Sequence, residues 1–400
     1  MLYIGIDVGK HNHEATVLDK YGKELFESIK FSNSNDGVNK LLFKISNLKE
    51  AIFGLEATGH YWLPLYCHLV SKGLKVLVLN PIQSNSLRNL YIRKTKTDKK
   101  DSFIIADILR IGRFPQSQLA DEQMLKLQTL SRLRFEFIDQ VTDLKRKLIS
   151  VLDRIFPEYE SIFSNIFIKS SKELLKEAST PEEILNFDIS ELARMLKSNS
   201  RGRFGLPKAK ELKTYASNSF GVTIALDAFK LELKLILAQI EFIEAQIDQI
   251  DLNIKELMKN IKSLITTIPG IGDILGASIL AEIGDIKRFA SAKKLVAYAG
   301  LDATTYQTGQ FIGTRPKISK RGSPYLRRAI WAAAAVARKA NPVLSGYHQK
   351  KLSQGKHPQA ALGACARKLT HLIYYILKEQ KPFDPNYQWS SSSKIYVDCL

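Results

Sequence analysis

Ten apolar residues, Phe229, Leu233, Ile236, Ile240, Ile243, Ile247, Ile250, Ile254, Leu257 and Ile261, step alternately by four and three along the chain. This is the a/d spacing of a left-handed coiled coil, so the stretch from Ala225 to Ile265 is expected to be one long helix whose stripe another helix must cover. A second charged stretch with few Gly or Pro, Asp121 to Arg154, is expected to be helical as well. Two arrangements satisfy the stripe: an intramolecular hairpin of these two helices, or the seam of a second copy. Ile-rich a and d positions do not enforce a simple parallel dimer, and self-association is the expectation favoured here. Between the helices, Ser161 to Ser219 is less regular, with a Pro-Glu-Glu helix start at Pro181 and a basic loop at Arg201 to Pro207.

The N-terminal part has the other period. Leu2-Tyr3-Ile4-Gly5-Ile6-Asp7 is a buried first strand that delivers one carboxylate. Strands Glu14 to Leu18 and Glu24 to Phe31 follow, joined by the turn Asp19-Lys20-Tyr21-Gly22, and make an antiparallel meander. Helix Asn35 to Ser46 leads to Ala51-Ile52-Phe53-Gly54-Leu55-Glu56, a second apolar strand ending in an acid. Helix Tyr61 to Lys72 and strand Lys75 to Pro81 come next. A meander followed by alternating helices and parallel strands, with acids on the central pair, describes an RNase H-like α/β sheet.

Two further acids, Asp98 and Asp101, open an amphipathic helix expected over Ile104 to Gly112; three residues apart at a helix start, they share one face. Two carboxylates within about 4 Å repel by roughly 4 kcal/mol at an effective dielectric near 20, a cost that divalent cations remove. Oxygen-only ligation by Asp7, Glu56, Asp98 and Asp101 suits Mg²⁺ or Mn²⁺, which in a two-metal site stabilise the attacking and leaving oxygens of a phosphodiester. Taken singly, Asp98 and Asp101 also suit helix N-terminal capping, and Asp7 the end of a strand. Asp107, six residues beyond Asp101, is the rival for a place in the cluster.

The rest of the chain is basic: 59 Lys and Arg against 40 acids give a formal charge of +19. Such a field favours polyanions. The cations gather in Arg88 to Lys100, Lys145 to Lys147, Arg201 to Lys213, and Arg315 to Arg328. The candidate nucleic-acid contacts among them are Lys94, Lys96, Lys99, Lys100, Arg201, Arg203, Lys320, Arg321, Arg327 and Arg328. Cys67, Cys365 and Cys399 lack zinc-ligand spacing. With no cationic leader and no apolar stretch of membrane-spanning length, a cytoplasmic, nucleoid-associated protein without a membrane partner is expected.

The C-terminal part opens with Ile268-Pro269-Gly270-Ile271-Gly272, the pattern of a helix-hairpin-helix turn, where Gly270 and Gly272 let backbone N–H groups approach a phosphate; an ordinary helix connection has the same pattern. Tyr306-Gln307-Thr308-Gly309-Gln310 and Ser319-Lys320-Arg321-Gly322-Ser323 follow, ahead of a basic helix running through Ala337.

Gly5-Ile6-Asp7-Val8-Gly9-Lys10, Leu55-Glu56-Ala57-Thr58-Gly59, Lys96-Thr97-Asp98-Lys99-Lys100-Asp101, Ile268-Pro269-Gly270-Ile271-Gly272 and Ser319-Lys320-Arg321-Gly322-Ser323 together resemble the DEDD insertion-sequence transposases, relatives of Piv-type DNA invertases and bridge-RNA-guided recombinases. The resemblance spans nearly the whole chain in order. It implies a RuvC-like domain at 1–115 holding Mg²⁺ on Asp7, Glu56, Asp98 and Asp101. It further implies a helical coiled-coil dimerisation region at 116–262, a mostly helical transposase domain at 263–385 and a tail at 386–400. It implies a serine nucleophile that attacks DNA to leave a phospho-enzyme and a free 3′ hydroxyl, and a noncoding RNA that chooses both DNAs. The expected partners are therefore DNA, that RNA, and further copies of the chain in a dimer or tetramer.

One position departs from the pattern: Thr308 stands where the family has its serine. The hydroxyl is kept, but the added methyl stiffens χ1 and crowds an in-line attack. Ser319 and Ser323 are the alternative nucleophiles, each with a structural reading, as a turn residue and as the N-cap ahead of Pro324. A nucleic-acid-binding scaffold with an impaired site is the competing function. An actin- or sugar-kinase-like ATPase fits the first motif but lacks a second phosphate loop and a Gly-Gly adenosine motif.

Overall fold

The computed structural model describes residues 1–56, 59–79, 97–112, 122–304, 307–308, 311–312 and 317–386, with backbone only at 307–308 and 311–312. The chain forms two compact units, one of Met1–Asp121 with Asp285–Ala290, the other of Glu122–Gly284 with Ser291–Leu400.

The first unit is built on one five-stranded sheet: β1 (Leu2–Val8), β2 (Asn12–Leu18), β3 (Ile29–Ser32), β4 (Ala51–Glu56) and β5 (Lys75–Leu79), in the order β3-β2-β1-β4-β5. β1, β2 and β3 pair antiparallel, while β4 and β5 add in parallel. The third strand is shorter than its apolar pattern predicts. It starts at Ile29 instead of Glu24, and Glu24 makes only an isolated bridge to Leu18.

Strand alternation divides the sheet. Ile4, Ile6, Val8, Phe53 and Leu55 point to a face packed with Val38 and Leu41 of α1 (Asn35–Phe43) and Leu65 and Leu69 of α2 (Trp62–Ser71). The opposite face carries α3 (Asp98–Ile111), whose Ile104, Ile105, Ile108 and Leu109 pack with Leu77 and Leu79. This helix starts six residues before the expected Ile104, because Thr97 caps it: its hydroxyl accepts from the Lys100 N–H at 3.3 Å.

Among its described residues the regular structure of the second unit is helical, apart from one hairpin of two-residue strands and an isolated bridge between Ala303 and Ile318. Its spine is α4 (Glu122–Ile155) beside α10 (Leu226–Asn260). Arg134 pairs with Asp251, Lys145 with Glu244 at 2.8 Å and Arg154 with Glu232 at 3.8 Å, which fixes an antiparallel hairpin. Leu233, Ile236, Leu237 and Ile240 are buried in one core with Val141, Leu148, Val151 and Leu152. The seam expected to join two copies is therefore covered within the chain. The intramolecular partner wins because α4 matches α10 in length and is tethered to it, so no association entropy is lost. Five short helices, α5 (Tyr159–Ile162), α6 (Lys169–Glu177), α7 (Pro181–Asn186), α8 (Ile189–Asn199) and α9 (Leu206–Ser217), close the same core.

A 3-10 turn at Leu264–Thr267 precedes α11 (Asp273–Ile283), so the first limb of the expected helix-hairpin-helix is a single turn. Then come α12 (Ala292–Tyr298), the hairpin β6 (Gln307–Thr308) and β7 (Phe311–Ile312), α13 (Pro324–Ala340), α14 (Pro342–Ser353) and α15 (Pro358–Glu379). Among the described residues, no helix is long and apolar enough to cross a membrane.

Candidate active site

The acids of the first unit are placed by two glycines. Gly5 of β1 and Gly54 of β4 are register partners, and both face α3. A Cβ on Gly5 would collide with the backbone of Ser102 and Ala106; one on Gly54 would come within 2.7 Å of the Leu109 side chain. The missing side chains let the helix lie down on the sheet, and Thr16 fastens it there, its hydroxyl 2.7 Å from that of Ser102 in a buried pair. α3 runs against β1, since its far end, Arg110, meets Gly22 beyond the Leu18 end of β2.

Two residues beyond the glycines, on the same face, come Asp7 and Glu56. One turn before the helix contacts come Asp98 and Asp101. All four carboxylates thus belong to one end of one face of this unit. Glu56 is 3% exposed and Asp101 4%, Asp7 is half-buried, and Asp98 is exposed. Asp98 and Asp101 do not cap the helix, since Thr97 does. Asp107 is engaged elsewhere, with Arg110 at 2.6 Å. Among the described residues, no three His, Cys, Asp or Glu are drawn together as a group able to hold a metal ion. Chemically, a donor set made only of carboxylates fits a hard divalent cation and offers nothing to a soft one.

The C-terminal candidates separate. Thr308 lies on β6, opposite Phe311, and its side chain is outside the described residues, as are Lys94 and Lys96. Ser319 donates to the Asp302 carboxylate and accepts from the Arg321 N–H at 3.3 Å. Ser323 caps α13, accepting from the Leu326 N–H at 3.1 Å, and donates to Glu282 at 2.7 Å. Both serines thus fill the structural roles their positions suggested. Glu282, nearly buried, also accepts from Arg132 at 2.7 Å, so one carboxylate ties α4, α11 and the start of α13 together. Sequence reading missed this carboxylate, which lies in an apolar helix with no motif around it.

The basic candidates sort by what they touch. Lys99 is 3.8 Å from Glu27 and half-exposed; Lys100, Arg201, Lys320 and Arg321 are exposed. Arg203 is exposed beside the Phe204 ring. Arg327 and Arg328 are used within the fold: Arg327 donates to the Ala299 carbonyl at 3.3 Å, and Arg328 grips Asp139 with two 2.7 Å hydrogen bonds. That guanidinium holds the Asp139 carboxyl below its ordinary value. Gly270, at φ +100°, answers a packing demand. Its missing Cβ would sit 2.6 Å from the Ala337 Cα, so α13 takes that space. Gly272, at the start of α11, has open space around it.

Comparison with known proteins accounts for both units. A family model described as a transposase matches residues 4–157, and one described as transposase of the IS116/IS110/IS902 family matches residues 262–349. The chain is 26% identical over 398 residues to the insertion element IS116 uncharacterized 44.8 kDa protein of Streptomyces clavuligerus, covering 96% of each. It is 25% identical over 388 residues to the pilin gene-inverting protein of Moraxella bovis, covering 96% of this chain and 97% of that one. A mini-circle putative transposase for IS117 from Streptomyces coelicolor is 23% identical over 402 residues, covering 96% of this chain and 95% of that one. The chain belongs to the IS110/IS116/IS902 family of transposases.

Proposed function

We propose that this chain cuts and rejoins the DNA strands of an insertion sequence, with Asp7, Glu56, Asp98 and Asp101 as the metal-holding tetrad of an RNase H-like domain. The observation that carries the reading is the shared face. Adjacent parallel strands bring Asp7 and Glu56 to the same end of the sheet as the first turn of α3 with its two acids. The strand order β3-β2-β1-β4-β5, an antiparallel meander extended by parallel strands, supports the RNase H-like assignment.

Mg²⁺ or Mn²⁺ held by these carboxylates would supply charge neutralisation at the reacting phosphate. The residues of the chain do the rest. The Thr308 hydroxyl attacks the scissile phosphorus, forming an Oγ–P bond as the P–O3′ bond breaks; its proton leaves with the 3′ oxygen. A 3′ hydroxyl from the partner strand then reverses the step and frees the threonine. Exposed Lys99, Lys100, Arg201, Arg203, Lys320 and Arg321 hold the DNA and a noncoding guide RNA by their phosphates.

Self-association belongs to the same proposal, on a different face from the expected seam. Leu231, Leu235, Ala238, Phe242 and Ala245 follow a second four-three pattern on α10, which Gln249 interrupts before Leu252, and all six apolar residues are exposed. This stripe, not the one covered by α4, is where a second copy docks.

The test is mass spectrometry of denatured protein after incubation with Mg²⁺, element DNA ends and the element RNA. A DNA-phosphate adduct on Thr308 is expected. An adduct on Ser319 or Ser323 moves the nucleophile. Cleavage without an adduct replaces covalent exchange with hydrolysis at the tetrad, and neither adduct nor cleavage leaves a nucleic-acid-binding scaffold.

A further inference from the structure

Between Asp302 and Glu379 the chain contains fourteen Lys and Arg and no Asp or Glu. Most of the chain's excess positive charge therefore sits in α13, α14, α15 and the segments leading to them. Part of it is neutralised or used inside the second unit, as with Arg328 on Asp139, Arg327 on the Ala299 carbonyl, and Arg367, which donates to the Leu301 carbonyl at 3.1 Å. Of the other eleven, three, Lys350, Lys351 and Lys356, stand at the turn between α14 and α15. Lys350 and Lys356 are exposed and Lys351 half-buried; among the described residues none of the three has a carboxylate within ion-pair distance. The turn itself, Gln354 to His357, is exposed, and Gly355 turns it at φ +76°. Tyr347 lies between the two helices, its ring centre 5.1 Å from the Lys351 ammonium and 4.5 Å from that of Lys368.

We infer that the α14–α15 turn, with Lys350, Lys351 and Lys356 as its contacts, is a docking surface for the phosphate backbone of double-stranded DNA. The inference rests on the DNA-transferring function proposed above. Uncompensated like charges held on two packed helices repel one another, and a polyanion relieves that repulsion by releasing its condensed counterions. The choice of duplex backbone over single strands follows from Tyr347. Two ammonium groups already occupy its ring, so it offers no platform on which an unpaired base could stack. Among the described residues the turn carries no carboxylate, and its Gln354 amide oxygen accepts from Lys351 at 3.1 Å; a surface whose charged contacts are all ammonium groups is suited to holding DNA without reading sequence.

The test uses the full-length chain and a fluorescein-labelled DNA duplex of random sequence, titrated at several salt concentrations. The variant Lys350→Gln/Lys351→Gln/Lys356→Gln is compared with wild type and with the charge-keeping Lys350→Arg/Lys351→Arg/Lys356→Arg. The Gln variant is expected to bind roughly tenfold more weakly near 0.1 M salt, with the logarithmic salt slope smaller by about 0.9 for each phosphate that is no longer neutralised, and the Arg variant to match wild type. Unchanged thermal melting of the Gln variant shows that the fold is intact. If wild type binds duplex with a steep salt slope and the Gln variant does the same, this surface is wrong while the DNA function stands. If wild type itself does not bind duplex, both readings fall. Weakening confined to an RNA hairpin, with duplex binding intact, overturns the assignment to DNA.

Discussion

Gly5 and Gly54 face each other across the β1–β4 ladder, and the backbone and side chains of α3 fill the space that their missing Cβ atoms leave. The close approach has a consequence two residues away, since the helix that sits on the glycines also carries Asp98 and Asp101 to the strand ends bearing Asp7 and Glu56. Gly5→Ala is expected to lift α3 and destabilise the first unit by about 1–3 kcal/mol, the ordinary cost of overpacking. Gly59→Ala, with nothing within 4 Å of its Cβ, pays only for its φ of +60°. Urea unfolding of both variants, with strand cleavage measured on each, checks this: Gly5→Ala should lose cleavage more steeply than stability.

Glu56 and Asp101 are nearly buried, and a divalent cation held by these carboxylates would stabilise the folded chain by binding it alone. Mn²⁺ at a hundred times its dissociation constant would stabilise the chain by about 2.7 kcal/mol. The expected outcome is a rise in melting temperature with Mn²⁺ that EDTA reverses. Asp101→Asn should abolish that rise. An Asp101→Asn protein that still answers to Mn²⁺ removes the residue from the tetrad. Asp7→Ala should abolish cleavage yet leave nucleic-acid binding largely intact.

Much of this is legible in the residues. The same Gly-x-acid spacing in Gly5-Ile6-Asp7 and Gly54-Leu55-Glu56 announces two strands that end alike, and the four-three array announces α10. What covers α10 is not legible, because a seam looks the same whether its partner is tethered or separate. The start of α3 is hidden because apolar periodicity begins at Ile104, while the helix begins at its cap, Thr97, with two acids favouring its N-terminus. Glu282 is invisible for the opposite reason. A single acid near the end of an apolar helix has no periodic signature, and the partners that receive it, Arg132 and Ser323, arrive from elsewhere in the sequence.

That carboxylate makes Ser323 more than a cap. Ser323→Ala removes both the hydrogen bond to the Leu326 N–H and the one to Glu282, and is expected to cost about 1–2 kcal/mol, the upper range for a lost N-cap. If Ser323 were also the nucleophile, Ser323→Ala would in addition abolish the DNA adduct, so denaturation and adduct formation measured together separate the roles.

The two stripes of α10 should respond oppositely to substitution. Ile240→Ala, at a fully buried position, is expected to destabilise by about 2–5 kcal/mol. Phe242→Glu, at a position 66% exposed, should leave unfolding almost unchanged but shift sedimentation toward the monomer. Sedimentation of Phe242→Glu identical to wild type would remove the exposed stripe as the docking face.

Acid should loosen the α4–α10 hairpin through Glu244. Burial alone would raise its carboxyl, but hydrogen bonds from Lys145 and Lys172, each at 2.8 Å, outweigh that and hold it below its ordinary value of 4.5. A carboxyl lowered in the folded state binds its proton more readily when unfolded, so its contribution is complete above about pH 4.5 and is lost as the pH falls through the lowered value. Because Glu244 is one-third exposed, solvent screening keeps that contribution near 1 kcal/mol or less. Glu244→Gln should therefore unfold at lower urea than wild type at pH 7, with the gap closing as the pH is taken well below 4.5. A gap that stays constant across that range would mean that Glu244 acts through packing alone.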